Sequence, residues 1–159
     1  MKILLISDTH GRQENLARML EQLPQPDHVL HMGDTEGYDG EIRGLLSCPV
    51  TIVMGNNDFF SHEPRETELV LGGIRFFLTH GHRYGASFGI GRLVDEALSR
   101  RAGVVCFGHT HQPMIRREQG VLLINPGSLS YPRQSGRRPS CAWLEIAPDG
   151  ELKVEIKYL

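Results

Sequence analysis

Five apolar runs in this 159-residue chain stop at the same kind of turn. Ile3-Leu4-Leu5-Ile6 leads into Asp8-Thr9-His10-Gly11, and the run ending at Met32 leads into Gly33-Asp34. Residues 50–54 lead into Gly55-Asn56-Asn57-Asp58, residues 74–79 into His80-Gly81-His82, and residues 104–107 into Gly108-His109-Thr110-His111. Short runs rich in β-branched and apolar residues, bounded by glycine, read as buried strands. In open α/β sheets, ligands bind outside the carboxyl ends of the strands. A fold that satisfies this pattern gathers the five turns, with their Asp, Asn and His side chains, at one place.

The rest of the chain supplies the frame. Residues 12–23 place Leu16, Met19, Leu20 and Leu23 at helical spacing, and Pro24 and Pro26 stop that helix. A strand at 27–32 and a short helix at 38–46 follow. Gly72-Gly73, between apolar runs at 66–71 and 74–79, is a hairpin signature. Residues 88–101 form a second long helix whose apolar face carries Ile90, Leu93, Val94, Ala97 and Leu98. Further strands are expected at 113–117, 121–125, 141–146 and 152–158. The first third reads as a βαβ unit and the remainder mostly as hairpins. That mixture implies an α/β fold of two packed sheets with helices on the outer faces. With no linker, repeat or low-complexity tract, residues 1–159 are expected to form one domain.

Composition narrows the function classes. A formal net charge of -2 argues against a protein held on nucleic acid by bulk electrostatics, though it leaves room for a local basic mouth. The apolar run after Met1 is too short for a secretion signal, and no stretch nears the roughly 18 apolar residues that cross a bilayer. Cys48, Cys106 and Cys141 are scattered, without CxxC spacing, and read as small core residues in a reducing compartment. The expected location is the cytoplasm, with no membrane partner.

Carboxylate, amide carbonyl and imidazole together are the donor set of borderline first-row divalent metals. Asp8 and His10 are two apart, as are His109 and His111, so each pair can point one way from its turn. A lone DxH or HxH is a weak signal, and Asp34 alone reads as a turn residue. Their recurrence after every buried strand, in a chain with 8 histidines, carries the metal reading.

In order, DTH, GD, GNND, THGH and GHTH resemble the five blocks of the calcineurin-like metallophosphoesterase superfamily. Asn125-Pro126-Gly127-Ser128 is similar to that family's small prokaryotic phosphodiesterase branch. The resemblance covers nearly the whole chain. It implies a four-layer αββα sandwich of two mixed β-sheets flanked by helices, with the site at one edge. It also implies two divalent ions, one held by Asp8, His10, Asp34 and His111 and the other by Asp34, Asn56, His80 and His109, with Asp34 bridging. Manganese is the first expectation, with zinc, iron, cobalt and nickel as alternatives.

Such a site suits a phosphate ester. Two divalent ions against the carboxylates of Asp8 and Asp34 stay net positive even with a bridging hydroxide, which attacks phosphorus in line. Many family members have a histidine directly after the GN asparagine, where it assists the leaving group. Here that position is Asn57, which donates a hydrogen bond but is no general acid near neutral pH. His82 is the candidate substitute, and Asp58 is expected to orient its neighbours. Tyr131-Pro132-Arg133 with Arg137 and Arg138 forms a basic loop able to face a substrate phosphate, and Arg12 shares that reading. Tyr84 and Phe59 are further candidates for the pocket wall. The expected partner is a small phosphate-ester substrate, with a homo-oligomer left open. The rivals are a non-catalytic protein-interaction scaffold of the same fold, as in the retromer subunit, and a phosphomonoesterase or nuclease of the same superfamily. Intact ligand positions favour the enzyme, and no capping domain or long basic surface points to a nuclease.

Overall fold

Alternation within the strands decides the layers. The computed structural model describes residues 1–159. In chain order the elements are β1 (Lys2–Ile6), α1 (Glu14–Gln22), β2 (His28–His31), α2 (Asp39–Gly44), β3 (Val50–Ile52), β4 (Glu66–Leu71) and β5 (Ile74–Thr79). After a single 3-10 turn at His82–Tyr84 come α3 (Gly91–Ser99), β6 (Val104–Cys106), β7 (Pro113–Glu118), β8 (Val121–Pro126), β9 (Ser140–Ile146) and β10 (Leu152–Tyr158). Ile3 and Leu5 of β1 pack with Phe76, Leu78, Val104, Cys106, Leu122 and Ile124 in one buried cluster between the sheets. The intervening Leu4 and Ile6 face the other way, onto Leu16 and Met19 of α1 and Ile42 of α2. Phe77, Val105 and Leu123 do the same in the second sheet, against Leu93, Val94 and Ala97 of α3. Period-two alternation across two sheets thus yields the expected four-layer αββα sandwich.

Each sheet has five strands, ordered β10-β9-β1-β2-β3 and β4-β5-β6-β8-β7. Strands β1, β2 and β3 run parallel in the first, and β5, β6 and β8 run parallel in the second. Six of the seven strands after β3 pair in hairpins, as expected, and β6 is the exception. Helix α3 is a crossover that lays β6 parallel to β5, and the β7–β8 hairpin returns β8 parallel to β6. Antiparallel pairing is confined to β4–β5, β7–β8, β9–β10 and the contact of β9 with β1.

Most boundaries fall within a few residues of expectation. Three strands end early, yet their pairing continues through single bonds from Met32 N to Ile6 O, Val53 N to His31 O and Phe107 N to Ile124 O. Helix α3 begins at Gly91, because residues before it form a turn that leaves Phe88 97% exposed. Leu98 lies on the solvent side of α3, at 45% exposure. No helix is long and apolar enough to cross a membrane.

β2 ends on a histidine with no access to water. His31 Nδ1 accepts from the Gly33 N–H at 3.1 Å, so Nε2 carries the ring proton toward Thr9 Oγ1 at 3.2 Å. Burial pushes its pKa down from 6.5 to about 4, against the pull of Asp8, Asp58 and Asp39. A folded value below the unfolded one means that the unfolded chain binds the proton first. This stability is whole above about pH 6.5 and declines as pH falls toward about 4. In chelator-treated protein, melting temperature should drop over that window, and His31→Asn, whose Oδ1 can take the place of Nδ1 as the acceptor from Gly33 without titrating, should flatten the drop. Parallel curves for the two proteins would remove His31 from the account.

Candidate metal centre

All six parallel strands deliver their carboxyl ends to one rim. Asp8 and His10 follow β1, Asp34 follows β2, and Asn56, Asn57 and Asp58 follow β3. His80 follows β5, His109 and His111 follow β6, and the Asn125-Pro126-Gly127-Ser128 turn closes β8. The rim is strained. Asp8, His10, Asp34, His109 and His111 have φ of 55°, 45°, 58°, 69° and 58°, the left-handed region that side-chain-bearing residues avoid. Left-handed non-glycine residues cost on the order of 1–3 kcal/mol each and persist only where surroundings over-determine them. Here the restraints are visible. Asp8 N donates to Gly33 O at 3.0 Å, His10 N to Asp34 O at 2.9 Å and Arg133 N to His111 O at 2.9 Å. Two glycines permit the crowding, since a Cβ on Gly55 would collide with Asp34 Oδ1 and one on Gly108 with Ser7 Oγ.

Three imidazoles are oriented from behind. His10 Nδ1 lies 2.7 Å from Glu36 Oε1, His80 Nδ1 2.6 Å from Met32 O, and His111 Nδ1 2.8 Å from Tyr131 O. Carboxylates and carbonyls only accept, so each Nδ1 donates, and each neutral ring presents a bare Nε2 lone pair to the interior of the site. Those lone pairs face one another and the carboxylates. Nε2 of His10 and His111 are 3.3 Å apart, and Asp8 Oδ1 is 3.1 Å from His111 Nε2 and 3.9 Å from those of His10 and His80. Asp34 Oδ2 is 3.5 Å from His80 Nε2 and 3.8 Å from His10 Nε2, and Asn56 Oδ1 is 3.1 Å from His80 Nε2. Asp8 Oδ1 is buried and makes no hydrogen bond of acceptable geometry. An acceptor-only cluster around an orphaned buried oxygen fits a cation.

Two sets of side chains converge tightly enough to hold an ion: Asp8, His10 and His111, and Asp8, Asp34 and His80. Asp8 is common to both, while Asp34, the expected bridge, also looks toward histidines on either side. His109 stands at the edge. Its backbone N–H donates to Asp8 Oδ2 at 3.2 Å, and its ring is edge-on to His80 at 5.2 Å. His82 lies beyond it, 6.0 Å from the His109 ring and 5.3 Å from that of His80.

Charge is balanced locally. Burial works to raise the Asp8 carboxyl, but His111 and His80 overcome it and hold it below the usual carboxylate value. The same contact lifts His111: burial lowers it, Asp8 raises it more, and Arg133 opposes Asp8. His109 is lowered by burial and then by His80. Burial, followed by His80 and His109, pushes His82 down to about 4.

Asn57 and Asp58 act on Asp34 from below. Asn57 donates its backbone N–H to Asp34 Oδ1 at 2.9 Å and its amide to Oδ2 at 2.7 Å. Asp58, buried, accepts from Asp34 N and Gly55 N on one oxygen, and from Glu36 N and Thr35 Oγ1 on the other. A cleft of about 610 Å³ opens beside His10 and His111, lined by Ser130, Tyr131, Pro132, Arg133 and Arg137. Arg12 stacks on the Tyr131 ring at 4.8 Å. Phe59 borders a smaller cleft with Asn57, whereas the Tyr84 hydroxyl donates to Glu66, turned from the rim.

Several positioning groups escape sequence reasoning. Glu36 and the carbonyls of Met32 and Tyr131 set the imidazole tautomers. Ser128 Oγ donates to Asp8 O at 2.8 Å and accepts from Ser130 N and Tyr131 N, while Asn125 Nδ2 donates to Gly108 O at 2.9 Å. The NPGS motif signalled the last two without revealing their task. Carbonyl partners leave no trace in residue identity.

A family model described as the calcineurin-like phosphoesterase superfamily domain matches residues 1–149. The chain is 35% identical over 134 residues to the probable metallophosphoesterase YsnB of Bacillus subtilis, covering 84% of this chain and 78% of that one. It is 28% identical over 157 residues to the phosphodiesterase YfcE of Escherichia coli, covering 84% and 82%. The crystal structure of a conserved uncharacterized protein of Streptococcus pneumoniae, described as a predicted phosphoesterase, superimposes with a TM-score of 0.80 at 27% identity. That match covers 99% of this chain and 97% of the other.

A cation entering this cluster would displace any proton taken up by the facing Nε2 atoms. His111, raised by Asp8, holds that proton to higher pH than a free imidazole would. Calorimetric titration of manganese into chelator-treated protein near pH 7, in buffers of differing ionisation enthalpy, should show net proton release. Affinity should weaken as pH falls from about 7 and His111, held above the ordinary imidazole value, takes up its proton. Zero proton release with constant affinity would contradict the inferred tautomers.

Proposed function

The chain belongs to the calcineurin-like phosphoesterase superfamily, and from that premise we propose that it is a phosphodiesterase acting on a small substrate with a pair of divalent ions. The observation that carries this reading is the set of three back-bonded imidazoles whose bare Nε2 atoms surround the orphaned Asp8 oxygen. Asp8, His10, Asp34 and His111 would hold one ion, and Asp34, Asn56, His80 and His109 the other. Manganese, zinc, iron, cobalt and nickel all suit this donor set. When bound, such ions polarise phosphoryl oxygens and lower the pKa of water from about 15.7 toward roughly 7.

The chain's own residues fix the rest. Asn57 grips both oxygens of Asp34 and so keeps that carboxylate turned into the site. In this role it is a positioning residue. Its amide does not titrate near neutral pH, so it brings no proton to a departing alkoxide. His82 is neutral at that pH, and an imidazolium donor is not on hand there either. Asp58 has both oxygens occupied and serves to hold the Asp34 turn. The predicted preference is for esters with good leaving groups, such as aryl diesters. The name of the Escherichia coli relative supports the diester over the monoester. A docking scaffold of the same fold would have no need of outward-bonded Nδ1 protons or strained ligand positions. The domain is taken to span residues 1–159, and three free cysteines suit a cytoplasmic setting.

Chelation should abolish hydrolysis of bis(4-nitrophenyl) phosphate, and manganese should restore it. Loss of a group that merely orients a metal ligand costs about 10–100-fold in affinity or activity, so Asp34→Asn should lose ~100-fold or more, with metal content falling in parallel. Full activity with two ions retained would refute the assignment of Asp34.

Asn57→His should leave aryl esters little changed or slower, and raise the rate on alkyl esters by about 10²-fold or more if the new imidazole reaches the leaving oxygen. An unchanged alkyl-to-aryl ratio would remove position 57 from leaving-group chemistry.

A further inference from the structure

We propose that the cleft beside His10 and His111 is a subsite for a second phosphate group of the substrate, so that the natural ligand carries an anion besides the scissile ester. This rests on the reading of the rim as a phosphodiesterase centre. The cleft, about 610 Å³, shares its floor with the centre, because His10 and His111 line both. Its remaining wall is Ser130, Tyr131, Pro132, Arg133 and Arg137, with no carboxylate among them.

The two arginines are set apart by their place on this cleft beside His10 and His111 rather than by being unpaired alone, since Arg92 and Arg117 also lack ion pairs. Arg43, Arg75, Arg100 and Arg116 are each paired with glutamate. Arg133 and Arg137 form no ion pair and donate no side-chain hydrogen bond, so both forks are free. They do not sit on a loose loop. Arg133 N donates to His111 O at 2.9 Å, fixing that residue to the rim itself. Arg137 N donates to Gln134 O at 3.0 Å, and Arg138 Nε to Leu159 O at 2.8 Å, tying the loop to the end of β10. Ser130, whose hydroxyl donates to Thr9 O, holds the near side. Guanidinium forks match phosphate oxygens two at a time, and such charge-assisted bonds are about twice as strong as neutral ones. A diester has a single negative charge, which the metal side would satisfy. Two unpaired guanidiniums in an adjoining acid-free cleft call for a further anion on the same molecule.

The test compares thymidine 3′,5′-bisphosphate with thymidine 5′-monophosphate by calorimetry on the manganese-loaded protein. Wild type should bind the bisphosphate at least about tenfold tighter than the monophosphate, and in R133A/R137A that ratio should fall to within about twofold. R92A/R117A, which removes two exposed arginines that do not line the cleft, should keep the wild-type preference. Equal binding by wild type, a preference that survives R133A/R137A, or an equal loss in R92A/R117A would overturn the subsite. Because the readout is binding, a protein that shows the preference yet hydrolyses neither 4-nitrophenyl thymidine 5′-phosphate nor its 3′-phosphorylated form sinks the phosphodiesterase reading and leaves the subsite standing.

Discussion

Lone pairs pointed at lone pairs are the constraint on which this structure turns. His10, His80 and His111 direct their Nδ1 protons outward to Glu36, Met32 and Tyr131, which leaves three Nε2 atoms facing Asp8 and Asp34. In a buried site such a cluster repels itself, since each member can accept and none can donate. A proton would relieve the repulsion in part, and Asp8 raises His111 in the direction that favours one there. A divalent ion would relieve it at each atom that ligates it. Strain adds to the same imbalance: five left-handed residues at about 1–3 kcal/mol each approach the 5–15 kcal/mol by which a typical domain is stable at all. The frame must therefore be strong where the rim is not.

That frame is the two-sheet core and the turns that lash it together. Parallel strands send their carboxyl ends in one direction, so two parallel triplets packed face to face place six turns along one edge. Cross-sheet bonds then set the spacing. His80 Nδ1 reaches from the second sheet to Met32 O in the first, and His109 N reaches back to Asp8. The NPGS turn is the third lash, joining the end of β8 to the backbones of Asp8 and Gly108. Gly55 and Gly108 are required for the reverse reason, as places where the two sides come too close for a side chain. None of these residues need touch a ligand to matter for the geometry of the rim.

The sequence disclosed the donors and the strands that end at them, because both are local. Asp8 and His10, or His109 and His111, announce themselves by spacing, and the alternation of Ile3, Leu4, Leu5 and Ile6 already implies two buried faces. Which strand pairs with which is not local. Nothing in residues 104–126 distinguishes an antiparallel meander from β8 lying parallel to β6, and only the packing of the β7–β8 hairpin against β6 settles it. The same limit hid the partners of the imidazoles. Glu36 is an ordinary acidic residue in a turn until its left-handed backbone aims it at His10. Asn57 was legible as a departure from a pattern, but its grip on Asp34 was not, since the amide could equally have faced the substrate.

That grip sets acid catalysis against positional control. Asp34 lies between histidines of both sheets, and rotation of its carboxylate by even a fraction of a turn would unbalance the two sides. Two hydrogen bonds from one residue, a backbone N–H to Oδ1 and a side-chain N–H to Oδ2, fix the plane of the carboxylate. An imidazole in place of the amide would keep the first bond but would exchange the second for a group that titrates near neutrality. The amide holds Asp34 equally at any pH where the fold survives, and in exchange offers no proton to the leaving group. With His82 held neutral by burial and by His80 and His109, the centre has strong means to bind and orient a phosphoryl group and weak means to protonate what departs. On the proposed reading its chemistry would be selective through the leaving group: esters whose alcohol leaves as a stable anion need no acid, and they are the ones this arrangement of residues would suit.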